Sequence, residues 1–278
     1  MNVCAISRDY TESVSENIDV SSINFTPFVH NSGVYPSRVD EYLAYADKWK
    51  KLCHIPTLAY EYHFWRPYFR DLGMLDSAKI IYKDVIGYRA NGCGGMIEDG
   101  SQRSFFPNGL LFYVYASTLF DCSQSFEDIV EDYFSHAYGE DFREVYSFFE
   151  RMGGEDQHKF LNGKLSANSE KGDFYNPNMA EVFRKKAVIT DEFTSFVNDH
   201  KNMPYRAQTV SYRMLARYLE YCKGIARPLA LKALGANAES REEYFEFANR
   251  FGRYELEMER WYDHFLEVDS LKDIFRRA

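Results

Sequence analysis

Hydrophobic positions in the first hundred residues switch between short β-rich runs and stripes at helical spacing. Residues 23–29 (INFTPFV), 57–64 (TLAYEYHF) and 93–97 (CGGMI) read as strands. The first ends in His30-Asn31-Ser32-Gly33 and the third in Glu98-Asp99-Gly100, polar clusters that suit turns. Between the strands, Val39, Tyr42, Leu43, Ala46 and Trp49 share one face of a helix starting near Ser37, with Ser37 and Asp40 as its capping box. Ala78, Ile81, Val85 and Tyr88 mark a second helix, closed by Asn91-Gly92. The strand signals recur about every 35 residues. That spacing fits strand–helix–strand units with parallel strands, because a parallel return needs a long crossover.

After Ser104 only the helical rhythm persists. Phe126, Ile129, Val130, Tyr133, Phe134 and Ala137 form one stripe, stopped by Gly139. Phe142, Val145, Tyr146, Phe149 and Met152 form another, stopped by Gly153-Gly154. Residues 154–177 are polar and rich in Asn, Gly and Ser, which predicts a long loop. Helical spacing resumes through Met179, Val182, Phe183, Ile189, Phe193 and Phe196, and again over 205–222 after Pro204. Ser240 and Glu243 are placed to cap a last long helix through Phe247, Phe251, Tyr254, Met258 and Trp261.

Composition narrows the function classes. The chain has 278 residues with 33 basic against 42 acidic side chains, a net charge of -9 that argues against a nucleic-acid surface. Its longest apolar run, 109–120, falls short of the ~20 residues a membrane helix needs, and the N-terminus lacks a signal-peptide layout. The chain as it stands therefore reads as cytoplasmic, with no nucleic-acid or membrane partner. Five scattered cysteines without a CxxC pair indicate neither a disulfide framework nor a thiolate metal site. Aromatic residues reach 17%, with 22 Tyr and 23 Phe, most of them at helical spacing and so expected in the core.

Three parallel βα units leave two sheet edges open, whereas parallel sheets usually hide both faces in larger sheets or closed barrels. A (β/α)8 barrel takes about 250 residues. The fold class read from the sequence is thus α/β followed by all-α: the last three βα units of a (β/α)8 (TIM) barrel over 1–108, then a helical C-terminal domain over 109–278. The missing N-terminal barrel half would belong to a longer parent chain. A complete small α/β domain with helices over its edges is the alternative.

Several motifs occur in a telling order: Trp49 on a helix, AYEYH over 59–63, Asp84 with Gly87, Gly94 to Asp99, the run YASTLFD over 115–121, and Tyr138-Gly139. Together these resemble a bacterial family of glycoside-hydrolase-like proteins of unassigned function, related in architecture to α-glucuronidases and β-hexosaminidases. The resemblance covers about 39–152, roughly two fifths of the chain. Phe120 stands where the family tends to place Trp, at a packing position. The resemblance implies a barrel followed by a helical domain that acts on, or binds, a carbohydrate; it names no substrate and no cofactor.

Glycoside hydrolysis generally requires two carboxyl groups, about 5 Å apart for retention or 6.5–9.5 Å for inversion. Glu61 and Glu98 close consecutive predicted strands, and strands lie about 4.8 Å apart, so their side chains are the candidate catalytic pair. Asp99 competes with Glu98, since alternation turns one inward and the other away. His30, Asn31, Tyr62, His63 and Trp65 are of the types that grip a sugar, and Arg103 is placed to meet a carboxylate on an acidic one. A His near a strand end is otherwise a structural hydrogen-bonder. With part of the barrel missing, the chain alone is expected to be inactive. The competing reading is a noncatalytic module binding a carbohydrate or a protein. No metal site is indicated, and no nucleotide-binding or serine-hydrolase motif occurs.

Overall fold

A computed structural model describes residues 1–27, 29–53, 55–165 and 169–276. Its strands are β1 (Asn2–Cys4), β2 (Leu58–Glu61) and β3 (Met96–Glu98), all parallel in the order β1-β2-β3. Helix α1 (Val39–Cys53) connects β1 to β2, and α2 (Leu75–Ala90) connects β2 to β3. The rest is helical: α3 (Leu110–Phe120), α4 (Phe126–Tyr138), α5 (Phe142–Met152), α6 (Glu155–Leu161), α7 (Pro177–Asp199), α8 (Arg206–Ala233), α9 (Asn237–Phe251) and α10 (His264–Arg276). No described helix is long and apolar enough to cross a membrane.

The barrel expectation is overturned. Among the described residues the sheet has three short strands and stays open, so the chain is mostly helical with a small parallel sheet at one end. The expected strand at 23–29 is also corrected: residues 23–27 have no regular structure, and position 28 lies outside the described residues. Pro27 cannot donate to a ladder. The backbone N–H and hydroxyl of Thr26 instead donate to the carboxylate of Glu41 on α1, the hydroxyl at 2.8 Å. The strand beside β2 comes from the N-terminus, where Val3 pairs with Ala59 and the N–H of Leu58 donates to the carbonyl of Met1.

One face of the sheet is covered by α1 and α2. Val14, Val39, Leu43, Ala59, Tyr88 and Cys93 form a small apolar cluster there. The opposite face is only partly covered, with Cys4 and Ile97 exposed. On α2, Ala78, Ile81, Val85 and Tyr88 are all buried, as their spacing predicts. Asp84 is buried on the same face. Gly87 lets the chain at Val14 lie directly against this helix: an added Cβ would sit 2.7 Å from the carbonyl oxygen of Val14.

The larger core is aromatic. Phe106, just past the sheet, is ringed by Tyr218, Tyr221, Phe251 and Tyr262 at centroid distances of 5.1–5.9 Å. Ser125 caps α4 by accepting the N–H of Asp128, and Asn176 caps α7 by accepting that of Met179. Three helical expectations need correction. Within the loop expected over 154–177 the chain forms α6, while positions 166–168 lie outside the described residues. Ser240 caps nothing; it is buried inside α9 and its hydroxyl donates to the carbonyl of Pro228 at 2.8 Å. The last helix breaks at Gly252, where a Cβ would meet the His264 ring at 2.7 Å, and resumes as α10.

Gly87→Ala tests the close approach of α2. Helix propensity alone favours Ala by up to about 1 kcal/mol, but overpacking against the Val14 backbone should dominate. A net loss of about 1–3 kcal/mol is expected in chemical denaturation, and a stabilised variant would contradict the packing.

A buried ion network beneath a candidate binding cleft

Parallel strands deliver their chemistry to one edge, the loops beyond their C-terminal ends. Here β1 leads to Arg8, Asp9 and Tyr10, β2 to Tyr62, His63 and Trp65, and β3 to Asp99. Glu61 and Glu98 are paired in register, so both side chains leave the sheet on the face toward α2.

On that face lies a chain of ionic hydrogen bonds. His63 Nδ1 donates to Glu98 Oε1 at 2.8 Å, and His63 Nε2 donates to Asp84 Oδ2 at 2.7 Å. Arg8 Nη2 also donates to Asp84 Oδ2, while its Nε lies 3.3 Å from Glu61 Oε2. Tyr10 donates to Glu61 Oε2 at 2.8 Å and Tyr88 to Glu61 Oε1. The backbone N–H of Val14 completes Asp84 at 2.7 Å, and that of His63 reaches Glu98 Oε2 at 3.2 Å. The side chains of Arg8, Glu61 and Asp84 have no solvent exposure.

Burial alone would push the imidazole of His63 down, but Glu98 and Asp84 outweigh it and hold the ring up at about 10. That direction favours the imidazolium, in which both ring nitrogens donate; Arg8 Nη2, 3.0 Å from His63 Nε2, then shares Asp84 Oδ2 with the ring rather than bonding to it. Burial would likewise raise Asp84, yet Arg8, His63 and the Val14 N–H keep it below the usual carboxylate range. The Tyr10 hydroxyl is pushed well up, by burial and by Glu61.

Above this network opens a cleft of about 740 Å³, lined by Arg8, Tyr10, Tyr62, Trp65, Asp99 and Lys164 among others. It exceeds the grooves of about 420, 540 and 660 Å³ found between helices elsewhere. Arg8 joins the two layers: it lines the cleft, and its Nη1 has no hydrogen-bond partner among the described residues. Tyr62 rests its hydroxyl 3.3 Å from the sulfur of Cys4, and Lys164 pairs with Asp9 at 2.8 Å.

The residues singled out from sequence thus separate into groups. Tyr62, Trp65 and Asp99 line the cleft. Glu61, Glu98 and His63 lie together beneath it, the two carboxylates with both oxygens already engaged. Alternation sends Glu98 inward to His63 and Asp99 to the cleft. His30 and Asn31 are exposed on the connection between β1 and α1, far in sequence from any strand end, and are not among the cleft's lining residues. Arg103 pairs with Glu255 at 2.9 Å and Asp263 at 3.5 Å, also outside the cleft lining.

Sequence reasoning missed Arg8 and Tyr10 because β1 is too short to alternate visibly. Asp84 carried a clearer signal, an acid set between Ile81 and Val85 on an otherwise apolar helical face. No family model, curated protein or solved structure matches the chain.

Because the folded pKa of His63 is raised, its contribution to stability is complete below its unfolded value near 6.5 and is lost as pH rises through about 10. His63→Gln should therefore cost about 3–5 kcal/mol at pH 6, the scale for breaking a buried ion pair. The gap to the native chain should narrow between pH 6.5 and 10, as read by urea denaturation at each pH. A gap that is constant or widens would contradict an imidazolium at this position.

Proposed function

We propose that the strand-end cleft binds a carbohydrate, and that this chain holds the sugar without cleaving it. The observation carrying this reading is the composition of the cleft wall. Trp65, 36% exposed, and Tyr62 offer flat apolar surface, while Asp99, Asn162 and Lys164 surround them with donors and acceptors. A saccharide presents that combination, apolar C–H faces edged by hydroxyls, and pockets of this size suit one or a few rings. The order of motifs resembling a glycoside-hydrolase-like family supports the same ligand class.

Binding is preferred to hydrolysis for a geometric reason. Cleavage needs a carboxyl free to give its proton to the leaving oxygen and a second on the reacting centre. Glu61 and Glu98 sit side by side, but Glu61 accepts from Tyr10 and Tyr88 and is ion-paired with Arg8, Glu98 accepts from His63, and neither residue lines the cleft. In this reading their task is to fix the floor on which Tyr62 and Trp65 stand.

Titration with neutral and acidic mono- and oligosaccharides, followed by tryptophan fluorescence and calorimetry, tests the proposal. At least one saccharide should bind, and Trp65→Ala should weaken it about tenfold, equivalent to about 1.4 kcal/mol, with unchanged circular dichroism. Aryl glycosides should not be turned over. Absence of binding across the panel, or full affinity in Trp65→Ala, would sink the reading.

A further inference from the structure

Helix α10 is distant in sequence from the cleft yet holds part of its wall. The 3-10 turn Arg66–Arg70 follows Trp65 directly, and both arginines line the cleft. Arg66 Nε donates to Asp269 Oδ2 at 3.2 Å, and its Nη1 lies 3.9 Å from Asp273. Arg70 donates twice to the carbonyl of Ser270, from Nε at 3.0 Å and Nη2 at 2.7 Å. Asp269, Ser270 and Asp273 all belong to α10.

The opposite face of α10 is buried through Leu266, Ser270, Leu271, Ile274 and Phe275, and one ionisable group sits among them. Glu267 is fully buried and accepts from Tyr221 of α8 at 3.3 Å and Tyr244 of α9 at 3.1 Å. Among the described residues no Lys or Arg pairs with it. The nearest basic group is His264, whose Nδ1 is 3.8 Å from Oε2 and 3.0 Å from the Tyr262 hydroxyl. Burial pulls the His264 ring down despite Glu255 and Asp263 beside it, so it is neutral at neutral pH. Arg276 acts on Tyr244 rather than on the carboxyl.

We infer that α10 is a proton-controlled latch on the cleft: with Glu267 protonated the helix stays docked and holds Arg66 and Arg70, and with Glu267 ionised it loosens and releases them. An ionised carboxylate in this position has only hydroxyl donors against the loss of water. Burial outweighs those donors and raises the carboxyl to about 8. The sign follows from linkage. A raised folded value means the contribution to stability is complete below the unfolded value near 4.5 and disappears as pH rises through about 8. Local opening of a terminal helix is the low-cost response.

The inference rests on the carbohydrate reading only for what the latch controls, so its test is made first without sugar. Hydrogen exchange of the whole chain, corrected for intrinsic rates, is followed by mass spectrometry from pH 6.5 to 9. Protection over 264–276 and over 65–72 should fall together by about tenfold or more, with 75–90 unaffected. Glu267→Gln should abolish the fall, and Tyr244→Phe, which removes a donor to the carboxylate, should move its midpoint upward. Constant protection in the native chain, loosening of 264–276 alone, or an equal fall everywhere would each overturn the latch. Where a saccharide binds, its affinity should drop with the same midpoint in the native chain and not in Glu267→Gln. If none binds, the sugar reading fails while the exchange result still decides the latch.

Discussion

Asp84 takes charge-assisted hydrogen bonds from a guanidinium, an imidazolium and a backbone N–H inside one fully buried site, and the sheet end of the molecule is arranged around that requirement. Arg8 arrives from β1, His63 from β2 and the Val14 N–H from the connection to α1, while Glu98 closes the chain from β3. Removing Arg8 or His63 leaves the buried carboxylates short of a positive charge away from water, a loss of several kcal/mol. Each strand is only three or four residues long, so backbone ladders alone hold the three strands weakly. The ion network supplies the fixed geometry that such short strands lack.

The helical part solves a different problem with different means. Phe106 meets Tyr218, Tyr221, Phe251 and Tyr262 edge to face or tilted, Tyr218 and Tyr221 stack on each other, and some tyrosine hydroxyls find carbonyls: Tyr218 donates to Leu72 at 2.6 Å and Tyr212 to Tyr138 at 3.1 Å. Tyrosine thereby brings large apolar area while anchoring the interior to specific backbone positions. The Tyr218 contact also ties α8 to the segment between β2 and α2, so the cleft floor and the helical core share supports.

How much of this was legible in the sequence follows from the range of the interactions involved. Stripes such as Ala78, Ile81, Val85 and Tyr88 are set by local periodicity, and their helices formed on the expected face. Glu61, Tyr62, His63, Trp65, Glu98 and Asp99 are legible as strand-end residues, because a strand end is a local signal and the sheet brings the two ends together. Three things were hidden. β1 is too short for alternation to show, so nothing local marks Arg8 and Tyr10, and the β-rich composition of 23–29 points to a strand that does not form. The engagement of Glu61 and Glu98 depends on residues up to 53 positions away, so pattern could count the acids but not reveal that their oxygens were already used. A barrel extrapolates from a βα spacing of about 35 residues whose first strand, 23–29, does not form, and the three strands present make a sheet that stays open.

The ties around the cleft differ in their access to ions. Side chains in the Arg8–Asp84 pair have no contact with solvent, whereas Arg66 is about half exposed where it meets Asp269 and Asp273. Counterions screen exposed charges within about 10 Å at 0.1 M ionic strength and reach buried pairs far less. Dissolved salt therefore weakens the arginine tie at the rim while leaving the floor nearly untouched, which makes the rim of the cleft the part that responds to its ionic surroundings.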